Sequence, residues 1–253
     1  MTLSRALAGA VLTIFIGAGC TSTTTATPAA ASGDGGTATG PEQDKGIDPG
    51  SGTASPIPGQ GTEKNPYGVA YPTANLGYTA RAGTRAGNII RNYKFLGYRD
   101  GDPSKGTEVI SLADYFDPDM KAISLIHFSA GALWCPPCNE EAKALVPIIP
   151  TLKAKKVVVI QAIIEGNERG TGSTPADLDE WQKRHSVNYT IFLDPEQGNL
   201  GQFFDAAAIP WNALIDARSM ELLTSGTGYN PKMDEEYTTW LAWIAKNPAQ
   251  AVQ

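Results

Sequence analysis

The chain predicts an α/β domain with a mixed central sheet flanked by helices, preceded by a disordered N-terminal tether. Three observations point to this fold. Short runs rich in Val, Ile and Phe alternate with helix-compatible stretches from residue 121 onward. The alternation closes on two adjacent β-type runs and a last amphipathic helix, an arrangement that builds a layered α/β domain. Ahead of it, residues 21–65 contain no aromatic residue, and Ile47 and Ile57 are their only large aliphatics. Such a segment cannot bury enough apolar surface to offset the entropy of ordering it.

Residues 1–19 carry a single charge, Arg5, followed by the apolar run 6–19. That run is too short for a membrane span and matches a secretory signal. It ends Ile16-Gly17-Ala18-Gly19-Cys20. Residues 20–65 read as a tether with a root-mean-square reach of roughly 35–40 Å. Residues 66–106, with Tyr67, Tyr71, Tyr78, Tyr93, Phe95 and Tyr98 among glycines, read as an extension packed on the core. Residues 92–98 and 107–115 read as strands and turns, and 81–91 as irregular.

The core domain is expected over 107–247, with 248–253 as a tail. Residues 121–128 form a strand-type run and 137–153 a helix that Pro147 kinks or ends, because proline removes a donor and clashes with the preceding turn. Residues 156–164 are a buried β-run. Thr174, Pro175 and Asp177 give an N-cap, a first-turn proline and an acidic third residue. Leu178, Trp181 and His185 then share one helix face. A strand follows at 189–193 and a short helical piece at 200–206. Residues 211–216 and 221–227 make a hairpin, and Asn230-Pro231 opens a last helix that buries Tyr237, Trp240, Leu241 and Ile244.

Chemistry concentrates at Trp134-Cys135-Pro136-Pro137-Cys138. A C-x-x-C pair after a strand and at a helix start reads as a redox couple. Unpaired N–H groups and the partial positive charge of the helix terminus favour a thiolate on Cys135. Cys138, one turn further in, can resolve a mixed disulfide formed there. Pro136 and Pro137 lack N–H groups, which limits that stabilisation. A static staple is the first alternative, although closing so short a loop gains only about 2 kcal/mol. Zinc or copper binding is the second, with His127 and His185 as the available histidines.

These residues, together with Ile209-Pro210 before a strand and Ala213-Leu214-Ile215-Asp216 within it, resemble the TlpA/ResA group of extracytoplasmic thioredoxin-like proteins, within the wider redoxin (AhpC/TSA) superfamily. The resemblance implies a thioredoxin-like fold and a thiol–disulfide oxidoreductase that needs no organic cofactor. It implies catalytic roles for Cys135, Cys138, Pro210 and Glu141, with Pro210 cis and offering backbone groups to an extended substrate. Trp134, Ile209 and Trp211 would line the substrate site, although Trp211 stands where the family commonly has a smaller polar residue, and a core aromatic is its other reading. Glu141 is either a desolvated proton acceptor for a thiol or a solvated first-turn glutamate. His127 precedes Phe128 where cytoplasmic thioredoxins carry a buried aspartate, but the connection to Trp134 is two residues longer. It is read as a satisfied core histidine, with proton acceptance from Cys138 as the alternative.

The 16–20 segment resembles the lipobox of bacterial lipoproteins, with Gly17 in place of the usual aliphatic. Lipid on Cys20 would leave the other two of the three cysteines as a self-contained pair. The net charge of −6, with no basic block or nucleic-acid motif, assigns no nucleic-acid partner. The implied partners are protein disulfides, apocytochrome c among them, and a membrane or periplasmic electron donor. Thr21 lacks the aspartate of inner-membrane retention, so the expected site is the outer membrane, facing the periplasm. Two rivals remain: a thiol peroxidase, against which stands the lack of a Pro-x-x-x-Thr-x-x-Cys signature, and a metal carrier using the thiol pair.

Overall fold

The computed structural model describes residue 57, residues 62–72, residue 76 and residues 81–249. The signal at 1–19, Cys20 and most of the tether lie outside the described residues. A seven-stranded mixed sheet, ordered β2-β1-β5-β4-β3-β6-β7, forms the centre. Its strands are β1 (Lys94–Tyr98), β2 (Glu108–Ser111), β3 (Leu125–Ala132), β4 (Val157–Glu165), β5 (Thr190–Leu193), β6 (Trp211–Asp216) and β7 (Glu221–Thr227). β3, β4 and β5 run parallel, while β6, β7, β1 and β2 add antiparallel strands at either side. This is the expected α/β architecture, a thioredoxin-like fold.

Among the described residues, four helices cover it: α1 (Pro136–Leu145), α2 (Ile149–Ala154), α3 (Pro175–His185) and α4 (Met233–Lys246). Pro147 breaks the expected 137–153 helix into α1, a 3-10 turn and α2. The α3 start is a capping box, in which Thr174 and Asp177 satisfy each other's backbone N–H. α4 begins at Met233, after Pro231, and buries Tyr237 and Ile244 while Trp240 and Leu241 are half-buried.

Three expectations need correction. The strand expected over 121–128 starts at Leu125, because the Asp117 carboxylate accepts from Ala122 N and Ile123 N and holds 121–124 in a turn. The helical piece expected at 200–206 is a set of turns, since the Asp194 carboxyl accepts from Asn199 N and Leu200 N. The boundaries at 65 and 106 also move. Ile57 and Asn65 are buried, Asn65 donates to Phe116 O at 3.0 Å, and β1 is an internal strand of the sheet.

The two sheet faces differ in chemistry because side chains alternate along each strand. Phe95, Phe128, Phe192 and Trp211 meet on one face, with Phe203 and Phe204 packed on Trp211. The opposite face of β3 carries His127, Ser129 and Gly131 beneath the helices. Ser129 pairs in register with Gln161 of β4 and Asn212 of β6, so three polar residues form a row across the sheet.

Candidate active site

The site forms where β3 ends and α1 begins. Cys135 is the N-cap of α1 and is disulfide-bonded to Cys138, with Cα atoms 5.3 Å apart. Cys138 N donates to Cys135 Sγ at 3.2 Å. With prolines at the first two helical positions, this is the first amide the helix can offer. Asn139 fixes the preceding turn, its amide donating to Leu133 O at 3.0 Å and to Cys135 O at 2.7 Å. Its oxygen contacts His185 Nε2 at 3.0 Å and accepts from Arg184 at 3.3 Å. The Ile209-Pro210 bond is cis, and Ile209 O lies 3.7 Å from Cys135 Sγ. Gly228 N donates to Pro210 O at 2.7 Å, tying the end of β7 to this loop.

Cys135 is 1 % exposed and Cys138 fully buried, both within the apolar core. Trp134 and Ile209 are half-buried at the rim. The Trp134 indole donates to Glu165 at 2.5 Å and lies under the Arg169 guanidinium, 4.2 Å from the ring centre. Trp211 is not at the rim. It is fully buried, stacks on Phe204 and donates to Ser225 Oγ, so its substrate-binding reading gives way to that of a core aromatic.

Glu141 is not the solvated first-turn glutamate. It lies on the turn after Cys138, is fully buried, and accepts from Ser129 Oγ at 2.5 Å and Asn212 Nδ2 at 2.8 Å. Burial pushes its carboxyl up to about 7, while the two hydrogen bonds pull the other way. His127 is the satisfied core histidine, held between Asn212 Oδ1 at 2.7 Å and Tyr237 Oη at 2.8 Å. Burial holds it near 4, hence neutral. Both histidines are therefore engaged by other side chains. Among the described residues, no group of three or more His, Cys, Asp or Glu is placed to hold a metal.

Ser129, Gln161 and Asn212 were not singled out from the sequence. Each is a polar residue inside an apolar strand run, and burying one without a partner is costly. That was the available signal. A Cβ on Gly131 would lie 3.2 Å from Cys138 Sγ and 3.8 Å from Gln161 Nε2, so the missing side chain of Gly131 leaves the space between the sulfur and the Gln161 end of this row.

A thioredoxin-like sheet with a C-x-x-C disulfide at a helix start and a cis-proline opposite it defines a thiol-dependent oxidoreductase. Residues 99–219 match the model of the AhpC/TSA family. Among solved structures, the chain is similar to an Enterococcus faecalis AhpC, at 12% identity, covering 67% of this chain and 98% of that one with a TM-score of 0.49. It is also similar to a DsbE-type putative thiol:disulfide interchange protein from Chlorobium tepidum, at 18% identity, 64% and 98% coverage and a TM-score of 0.46. StoA from Bacillus subtilis matches at 16% identity, 59% and 98% coverage and a TM-score of 0.43. No curated protein matches the chain.

Proposed function

We propose that this protein is a lipid-anchored thiol–disulfide oxidoreductase of the cell envelope that reduces protein disulfides through Cys135 and Cys138. The observation that carries the reading is the bonded pair capping α1 with its sulfur against the cis-Pro210 loop. A dithiol partner protein would reduce the pair. The Cys135 thiolate would attack a substrate disulfide, forming a mixed disulfide and releasing one substrate thiolate. Cys138 would then attack Cys135 Sγ, restoring the internal disulfide and releasing the second thiolate. Two electrons pass to the substrate, and the Cys138 proton passes to the Glu141 carboxylate. Pro210 would present backbone to an extended substrate, with Trp134 and Ile209 on the rim.

The test is a Cys138→Ala variant in the native envelope. Mixed disulfides on Cys135, reversed by reductant, support the reading, and their absence removes it. The anchor is tested separately: Cys20→Ser should move the protein from the membrane to the soluble fraction. Outer-membrane attachment facing the periplasm is the expected location.

Burial of both sulfurs favours a second reading, a static disulfide. The reduction potential against glutathione separates the two. A structural bond resists the glutathione pool, with a potential below roughly −300 mV, whereas exchange pairs lie higher. A peroxidase is set apart by peroxide consumption with a thiol donor.

A further inference from the structure

We propose that Ser129 and Asn212 are positioning residues that hold Glu141 as a proton acceptor beside Cys138. The direction of every hydrogen bond around that carboxyl is imposed by two groups that cannot reverse, the Trp181 indole N–H and the Gly228 carbonyl. The proposal deepens the redox reading and rests on it for its purpose.

The first arm starts at Trp181. An indole nitrogen only donates, and Trp181 Nε1 lies 3.0 Å from Gln161 Oε1, which also accepts from Tyr189 Oη at 3.0 Å. The Gln161 amide is thereby oriented, and its Nε2 faces Ser129 Oγ at 3.4 Å. With a donor already at its oxygen, Ser129 directs its own proton to Glu141 Oε1.

The second arm starts at Gly228, whose carbonyl only accepts. Asn212 Nδ2 donates to Gly228 O at 3.2 Å and gives its other proton to Glu141 Oε2. Asn212 Oδ1 is left facing His127 Nε2, which must therefore carry the ring proton. His127 Nδ1 is then bare and accepts from Tyr237 Oη. Both arms end with donors aimed at one carboxyl.

A carboxylate accepts from both donors through charged oxygens, while a protonated Glu141 turns one oxygen into a donor and accepts more weakly. The cluster thus favours the ionised form against burial, and the opposed forces leave the group titrating at about 7. The titratable groups around it come from each packed element. They are His127 on β3, Tyr189 before β5 and Tyr237 on α4, joined by Cys138 on α1 only when the disulfide is reduced. Burial raises both tyrosines well above their ordinary value and holds His127 neutral. Gln161 on β4, Asn212 on β6 and Trp181 on α3 carry no charge.

The experiment follows the carboxyl infrared band of the oxidised full chain from pH 4 to 10, assigned by its loss in Glu141→Gln. Asn212→Leu and Ser129→Ala should each raise the midpoint by about one pH unit or more, the worth of a hydrogen bond to a charged group. Ser129→Thr should restore it. Midpoints of both Asn212→Leu and Ser129→Ala within about 0.3 unit of wild type overturn the proposal. Nitrogen NMR of wild-type His127 is a second measurement that needs no variant. The Nε2–H tautomer supports the proposal and the Nδ1–H tautomer overturns it. Neither readout needs turnover. Shifted midpoints in a protein that traps no substrate sink the redox reading alone, and unshifted midpoints in one that traps substrate sink the positioning alone.

Discussion

At Glu141, burial and hydrogen bonding act in opposite directions on one carboxyl, and burial is the larger. The consequence for stability has a definite sign. The folded chain holds this proton up to about pH 7, whereas the unfolded chain releases it near the ordinary 4.5. The proton-linked stability is complete below 4.5 and is lost as pH rises through 7. Relative to Glu141→Gln, wild type should lose about 3 kcal/mol across that window, read by denaturant unfolding at stepped pH. Cys135 gives a second residue-scale expectation: in the reduced fold a bulky maleimide should modify it about tenfold or more slowly than in urea, given its 1 % exposure. The spacing of Cys135, Cys138 and Glu141 was legible because one helix carries all three. The row Gln161–Ser129–Asn212 was not, because it exists only once three strands far apart in sequence pair in register.

Among the elements, those with local punctuation were the readable ones. The α3 capping box and the Pro147 break are written in adjacent residues and fold as written. Thr174→Ala should cost about 1 kcal/mol, seen as a lower denaturation midpoint with unchanged slope. The turns at 200–206 misled, because Leu200, Phe203 and Phe204 have helical spacing while Asp194 draws the local amides out of a helix. The β3 start misled for the same reason, with Asp117 as the competing acceptor. In both places a buried side-chain carboxyl outcompetes the pattern of apolar residues, and nothing in that pattern announces it.

Over the whole molecule, the α/β class followed from the alternation of runs, but the domain edges did not. Ile57, Tyr71 and Leu76 are buried, and Tyr71 Oη donates to Asp114 at 2.6 Å, in a cluster with Arg99. A chain beginning at residue 81 should lose on the order of 5 kcal/mol, a large part of the stability of an ordinary domain. Calorimetry of that truncation should show a strongly lowered melting temperature. The two prolines that open α1 have a last consequence. They leave the amide of Cys138 to face Cys135 Sγ, where in the proposed exchange it would steady negative charge, while the thiol of that same residue would end the mixed disulfide. In that proposal one position would serve through its main chain in the first half of a cycle and through its side chain in the second. Replacing only the sulfur stops the cycle midway without blunting its start.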